Sequence, residues 1–297
     1  MKSLASFVMS GRYRALLVAM ASSGSVLFCW IGAAVMALVT LRRGPAQGFW
    51  ILMWASLPAI VVTRVSGDTT PLALLVGTFA LALVLRLSVS FALAVLASAL
   101  VGIVTGLLTL AFGGFMLEQL AAVFADFVRA LQEANSRGEV ALVVPTVTQL
   151  AGMIGAANAA LSLLCMILAR YWQAALYNPG GFSTEFRALR FPVGVMAALV
   201  MAALALSSMG LVYRSWALSL LIPVSAVGFA LMHAWAGVRG RGAVWLSAMY
   251  VAWVLFDAAK LALVGLAVVD AWVDFRRRWL AGGKNGDNDD GPPEQDK

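Results

Sequence analysis

Long stretches without any charged side chain constrain this chain more than any other feature of its sequence. Seven runs contain no Asp, Glu, Lys or Arg, and an eighth contains one acid and one base. A helix that spans a bilayer needs about 20 mostly apolar residues, because hydrocarbon offers no partner for exposed backbone amides. The runs that reach or approach this length are residues 15–41, 44–63, 69–85, 87–117, 140–169, 191–213, 215–238 and 242–269.

The composition also indicates that most of the chain lies in lipid. The chain is 62% hydrophobic and 12% charged, whereas soluble domains carry about 25% charged residues. We therefore predict an all-α fold, a polytopic transmembrane helical bundle of about eight spans that forms a single integral membrane domain over residues 1–280. The Gly, Asn, Asp and Pro of residues 281–297 predict a disordered polar tail. The net charge of +7 resides mainly in short loops and at the two ends, so it indicates membrane topology and no nucleic-acid partner.

One connection between spans is longer than the others. Residues 118–139, between the fourth and fifth runs, place apolar residues at helical spacing among charged ones and predict an amphipathic helix that lies on the membrane surface or caps the bundle. The apolar residues are Leu120, Phe124, Phe127 and Leu131. The alternative is a simple extension of the fourth span past the interface.

The basic residues leave the orientation open. Eight simple spans place both termini on one side, and the basic residues near both ends indicate that this side is cytoplasmic. With eight simple spans, however, the internal loops richest in Arg lie on the opposite side from the termini. The basic residues of the ends and of these loops are all cytoplasmic only if each terminal apolar segment fails to cross the membrane once. Residues 22–24, Ser-Ser-Gly, could break the first run into a short pair of helices that enters the membrane and returns.

Few ionisable or amide groups lie inside the apolar runs, and such groups persist there mainly where they are used. Asp257 and Lys260 share one helix face at i, i+3 spacing, and His233 is the single histidine. If these three converge with Asn158, the four side chains define a ligand pocket. The alternatives are a mutually neutralised pair for Asp257 and Lys260, and hydrogen bonds between helices for His233 and Asn158.

Small residues at four-residue spacing predict close helix packing. Gly102 and Gly106 form a GxxxG pair, and Ala15 and Ala19 form a looser pair. No nucleotide-binding loop, zinc-protease motif, nucleophile elbow or CxxC pair occurs. An intramembrane enzyme with His233 or Asp257 as base would need a nucleophile or metal at a recognisable spacing. We therefore expect no enzyme, no metal and no cofactor.

The segment from residue 177 to residue 190 reads YNPGGFSTEFRALR. Together with Arg12, the LRRG sequence at 41–44, the 228–233 segment and the DAWVDFRRR ending at 270–278, it resembles the YybS-like family of uncharacterised bacterial membrane proteins. The resemblance covers most of residues 10–280. Within the segment, the residues that we assign to the family motif are Asn178, Pro179, Gly180, Gly181, Phe182, Glu185, Arg187 and Arg190.

The resemblance implies a multi-pass protein of the bacterial inner membrane that is distantly similar to the substrate-capture subunits of energy-coupling-factor transporters. It also implies that the Ala15 and Ala19 face could dock on a second membrane subunit. Our leading hypothesis is a transport-associated protein that binds a small-molecule ligand. The alternative is a noncatalytic scaffold or assembly factor that binds another membrane protein through the Gly102 and Gly106 face and the 177–190 loop.

Overall fold

The computed structural model describes residues 2–134, 143–239 and 242–279, and within these ranges every regular element is a helix. The all-α prediction is thereby confirmed. The helices, in chain order, are α1 (Lys2–Met9), α2 (Arg12–Ser23), α3 (Cys29–Arg43), α4 (Pro45–Ser66), α5 (Thr70–Ser88), α6 (Phe91–Phe112), α7 (Gly114–Ala134), α8 (Val147–Tyr177), α9 (Gly181–Arg187), α10 (Val193–Ser208), α11 (Leu211–Arg239), α12 (Gly242–Leu255) and α13 (Asp257–Val273).

Five of these helices are long and apolar enough to cross a membrane, namely α4, α5, α6, α8 and α11, and α12 with α13 would make a sixth if the pair is one span. The chain is thus suited to be a multi-pass membrane protein. The count of eight spans is not confirmed, because three of the eight charge-free runs do not form one long helix. Run 15–41 divides into α2 and α3, run 191–213 contains the short α10, and run 242–269 divides into α12 and α13.

The first run breaks where the sequence places Ser22, Ser23 and Gly24. The Ser22 hydroxyl donates to the carbonyl of Val18 at 2.6 Å, and the Ser23 hydroxyl donates to the carbonyl of Ala55 in α4 at 2.8 Å. These bonds occupy both hydroxyls at the end of α2. The chain then turns and resumes as α3, in which every residue from Gly32 to Leu41 is buried.

The last run breaks at Phe256. Its backbone is extended, with φ −123° and ψ 123°, and the axes of α12 and α13 differ in direction by 117°. Asp257 is the first residue of α13. The apolar run 242–269 therefore contains a sharp change of direction beside its two charged residues.

The connection after α6 forms a separate helix. Gly113 interrupts the helical conformation, and α7 follows with a face that packs on α8 and on Trp216 of α11. The residues of α7 in this cluster are Leu117, Leu120, Ala121 and Phe124. Residues 135–139 of the predicted amphipathic segment lie outside the described residues.

The helices divide into two compact units. Unit 1 comprises Met1–Glu185 and Leu199–Pro223, and unit 2 comprises Phe186–Ala198 and Val224–Lys297. A single domain over residues 1–280 stays a prediction, and the predicted tail at 281–297 lies outside the described residues.

Glycines bring α6 and α8 together inside unit 1. A Cβ added to Gly155 of α8 would collide with the carbonyl of Gly102 and would lie 3.0 Å from the amide nitrogen of Gly106. The other side of the same glycine pair faces α11, where Ser219 lies against Gly102 and Trp216 against Gly106. The two helices therefore meet backbone to backbone, as small residues permit in a membrane.

Candidate functional site

A furrow between α5 and α6 of unit 1, with a volume of about 480 Å³, could hold a ligand. We call it the α5/α6 furrow. The lining residues of each helix recur at positions i, i+3, i+4, i+7 and i+8, which form one face of a helix. The lining residues are Thr69, Leu72, Ala73, Val76, Gly77, Ala80, Leu81 and Val84 from the α5 side and Ala97, Leu100, Val101, Val104, Thr105, Leu108, Thr109, Phe112 and Gly113 from the α6 side.

The furrow is long. Its walls extend from Thr69 to Val84 and from Ala97 to Phe112, which at about 1.5 Å per residue is about 23 Å. An extended hydrocarbon chain fits along an apolar furrow of this length.

The two ends of the furrow differ in polarity. Helices α5 and α6 are joined by a two-residue connection and run antiparallel, so the Thr69 end of α5 lies beside the Phe112 end of α6. All three hydroxyl side chains of the lining, Thr69, Thr105 and Thr109, lie in the half towards this end. The half towards Val84 has only aliphatic side chains, and no charged side chain belongs to the lining.

A buried amide lies directly behind the polar half. Asn158 of α8 is 6% exposed, and its Nδ2 donates to Thr105 Oγ1 at 2.9 Å and to the carbonyl of Ala73 at 3.4 Å. Its Oδ1 has no hydrogen-bond partner among the described residues, and neither does the hydroxyl of Ser162 one turn later. Gly77 separates both groups from the furrow, since a Cβ there would lie 2.7 Å from the Ser162 hydroxyl. The wall between furrow and amide is thus a bare backbone.

The other three predicted ligand residues belong to unit 2. His233 Nδ1 lies 2.9 Å from the carbonyl of Phe229, and its Nε2 lies 3.3 Å from the Tyr250 hydroxyl. Asp257 and Lys260 pair with each other at 2.8 Å, and their side chains are 91% and 43% exposed. A convergence of these three with Asn158 stays a prediction. Within unit 2, the hydrogen bonds of His233 and the mutual pairing of Asp257 with Lys260 agree with the alternatives stated for them.

The family-motif loop forms a turn followed by the short helix α9. Gly180 has φ +86°, a conformation that favours glycine, and the amide of Gly181 donates to the carbonyl of Asn178 at 3.0 Å. Pro179 lies between them. Phe182 contacts the rings of Phe91 and Tyr171 edge to face at 6.2 and 6.0 Å. Glu185 accepts from Arg170 of α8 at 2.7 Å, so the loop is tied to the end of α8.

A charged cluster in unit 2 was missed by the sequence reasoning. Asp270 is only 1% exposed, and its carboxylate lies 3.6 Å from Arg276 Nε and accepts from the amide of Phe275 at 3.0 Å. Arg276 also donates to the carbonyls of Arg187 and Leu189 at 2.7 and 2.8 Å. Burial lowers the pKa of the Arg276 guanidinium, and Asp270 opposes that shift. This cluster fastens the end of the family-motif loop to the end of α13.

A second ion pair adjoins the cluster. Arg190 lies 2.8 Å from Asp274, and this hydrogen bond lowers the pKa of the Asp274 carboxyl. Asp274 itself has φ +51° and terminates α13. The sequence did contain a signal for this arrangement, because two acids at i and i+4 are followed by three consecutive arginines.

The predicted helix-packing residues are covered inside unit 1. Ala15 and Ala19 are both 0% exposed, and Gly32 of α3 lies against the backbone of Ala19. Gly102 and Gly106 lie against α8 and α11 as described above. Both small-residue faces therefore serve contacts within this chain.

Comparison of the chain with protein-family models, with curated proteins and with solved structures gives no match.

Proposed function

We propose that this protein is a multi-pass protein of the bacterial inner membrane that takes part in transport by binding a small amphiphile with one hydrocarbon chain in the α5/α6 furrow. The observation that supports this proposal is the shape of the furrow, about 480 Å³ along two helix stripes, with its hydroxyl groups confined to one half. The chain of the ligand would lie towards Val84 and its head group towards Thr69.

The chemistry of the head group follows from the lining. Lipid tails are as apolar as leucine side chains, so a hydrocarbon chain gains little by leaving the bilayer for the furrow. Selectivity therefore has to come from shape and from hydrogen bonds at the Thr69, Thr105 and Thr109 half, each worth about 1 kcal/mol in a membrane. Because no charged side chain lines the furrow, an uncharged hydroxyl or amide head group fits it better than a carboxylate or a phosphate.

A role in transport rests on the resemblance to the YybS-like family together with the furrow. The chain has no nucleotide-binding loop, so movement driven by ATP would require separate subunits. A second membrane subunit therefore belongs to this proposal. The covered Ala15 and Ala19 face implies that such a subunit docks elsewhere on the chain.

The test is a binding measurement on the purified full chain. A spin-labelled fatty alcohol is titrated into the protein in detergent and in bilayer nanodiscs, with the corresponding fatty acid as the charged comparison. In Ala97→Phe an aromatic ring projects into the cross-section of the furrow, since Ala97 belongs to its lining. Ala92→Phe is the matched control, because Ala92 lies on the same helix but outside the lining.

We expect the fatty alcohol to bind the wild type more tightly than the fatty acid, and Ala97→Phe to weaken binding about tenfold, a change of about 1.4 kcal/mol. Ala92→Phe should bind as the wild type does. Equal binding by both variants, or no saturable binding of either probe by the wild type, would refute the proposal.

A further inference from the structure

The ends of α2 and α3 that are far apart in sequence lie together in unit 1. Arg43, the last residue of α3, donates to the carbonyl of Met9 at 2.6 Å, just before α2 begins. Arg12, the first residue of α2, lies over the ring of Trp50 near the start of α4, 4.2 Å from its centroid. The two helices therefore form a hairpin whose open end lies beside the beginning of α4.

The closed end of this hairpin lies beside the middle of α4. The Ser23 hydroxyl bonds to the carbonyl of Ala55, and Gly24 lies against Pro58. Ala55 is ten residues after Pro45, the first residue of α4, which places it about 15 Å along the helix. The hydrocarbon core of a bilayer is about 30 Å thick. A span formed by α4 would place the turn between α2 and α3 near the bilayer centre.

Helix α12 returns along α11 in unit 2. The rings of Trp235 and Trp245 lie 5.0 Å apart, and deeper in the pair Phe229 lies 5.3 Å from Trp253. Since the numbers fall on α11 as they rise on α12, the two helices are antiparallel. Phe229 is ten residues before Arg239 at the end of α11, so the break at Phe256 also lies at least about 15 Å from that end.

Helix α13 then runs back to the end from which α12 started. Leu263 lies against Gly228, near the depth of the break, whereas Arg276, just after α13, donates to the carbonyl of Arg187. The guanidinium of Arg187 in turn lies against Gly237, two residues before the end of α11. Both ends of the α12 and α13 pair are therefore at the same level, on the side where α11 ends.

From these contacts we infer that α2 with α3, and α12 with α13, are two re-entrant hairpins inserted from the cytoplasmic side. We further infer that the second hairpin carries the Asp257 and Lys260 pair to a water-filled site near the bilayer centre. Neither hairpin crosses. The crossing helices are α4, α5, α6, α8, α10 and α11, and the bases of both hairpins face the cytoplasm. This inference does not depend on the furrow.

Charge supports the orientation. With the 16-residue apolar helix α10, about 24 Å long, as the fifth crossing, the six crossings divide the described arginines into two unequal sets. Cytoplasmic segments are enriched in Lys and Arg, and the side of the hairpin bases carries the larger set. That set is Arg12, Arg14, Arg42, Arg43, Arg86, Arg170, Arg187, Arg190, Arg239, Arg276, Arg277 and Arg278, against Arg64, Arg129 and Arg214 on the other side.

The same geometry requires water at the second hairpin. The Asp257 side chain is 91% exposed within the described residues, and a carboxylate that faced hydrocarbon at this depth would be strongly disfavoured. Its pairing with Lys260 at 2.8 Å neutralises the charge, but the second carboxylate oxygen and two ammonium protons would still face hydrocarbon. Water in a vestibule that opens to the cytoplasm would form hydrogen bonds with all of these groups.

The orientation is tested by cysteine labelling in a background in which Cys29 and Cys165 are replaced by alanine. Single cysteines replace Val238, Arg277 and Leu211, which are exposed positions at the end of α11, after α13 and at the start of α11. A membrane-impermeant maleimide should label Leu211→Cys in spheroplasts, and Val238→Cys and Arg277→Cys only in inverted vesicles. Labelling of Val238→Cys and Arg277→Cys from opposite faces would show that α12 and α13 cross and would overturn the inference.

The first hairpin has the same test. Ser10→Cys and Arg43→Cys lie at its two ends and should both react only in inverted vesicles. Reaction of one of them in spheroplasts would overturn the first hairpin.

The vestibule is tested at the tip of the second hairpin. A small impermeant methanethiosulfonate should modify Asp257→Cys from the same face as Arg277→Cys, at a rate at least tenfold above that of Leu261→Cys. Leu261 is the matched control, since it is 70% exposed on the same helix one turn away but apolar. Labelling after denaturation in detergent gives the total cysteine of each variant, so that a misfolded variant is recognised. If a well-inserted Asp257→Cys reacts no faster than Leu261→Cys from either face, the tip is dry and the inference fails.

Discussion

Replacing Gly155 by alanine tests the backbone contact between α6 and α8. The added Cβ would lie 3.0 Å from the amide nitrogen and 3.1 Å from the Cα of Gly106, and closer still to the carbonyl of Gly102. Favourable contacts between carbon atoms begin at about 3.5 Å. Because the atoms that Cβ would meet belong to backbone, no side-chain rotation relieves the clash, and the two helices have to separate.

The expected loss follows from two opposing terms. Overpacking of a tight contact costs about 1 to 3 kcal/mol, and we take the upper end because the contact is with backbone. Alanine in a helix interior is better than glycine by about 1 kcal/mol. The net destabilisation is therefore about 2 kcal/mol, which lowers the melting temperature of a domain of about 200 residues by about 4 to 8 °C.

The assay is thermal unfolding of the purified protein in detergent, followed by tryptophan fluorescence, because Trp216 lies beside the same glycines. Gly114→Ala is the control within unit 1, since nothing lies within 4 Å of a Cβ built there, and it should be neutral or slightly stabilising. An unchanged or higher melting temperature for Gly155→Ala would show that α6 and α8 do not meet at these glycines.

Two further predictions concern the charged groups of unit 2. Arg276→Met leaves the Asp270 carboxylate, 1% exposed, without its cation, so unit 2 should lose about 3 to 5 kcal/mol. This loss is measured as faster trypsin cleavage near the end of α13, and the double variant with Asp270→Leu should recover most of it. The pH dependence follows from the lowered pKa of Asp274. Its pair with Arg190 contributes stability that is fully present above the unfolded pKa of about 3.9 and is lost as the pH falls through the lower folded pKa. Melting temperatures measured from neutral pH to below pH 4 should therefore fall more steeply at the acid end for the wild type than for Asp274→Asn, and parallel curves would count against the pair.

Some features can be recognised from neighbouring residues in the sequence, but their surroundings become known only from the fold. The Ser22, Ser23 and Gly24 triplet indicates a possible break, yet the bond from Ser23 to Ala55 shows how deep that break lies. Likewise, Asp257 and Lys260 are recognisable as a pair at i, i+3 spacing, whereas the extended backbone of Phe256 beside them was not predicted from the apolar run 242–269.

The sequence by itself determined that the chain is helical and suited to a bilayer, because hydrogen bonding of the backbone and the length of each apolar run are properties of neighbouring residues. Only the tertiary structure decided where the furrow lies, since its walls come from two helices whose small residues leave space when paired. It likewise decided that Asp270 meets Arg276 and that Arg187 lies against Gly237. Such contacts depend on which helix faces pack together, and the period of a single helix carries no information about its partner.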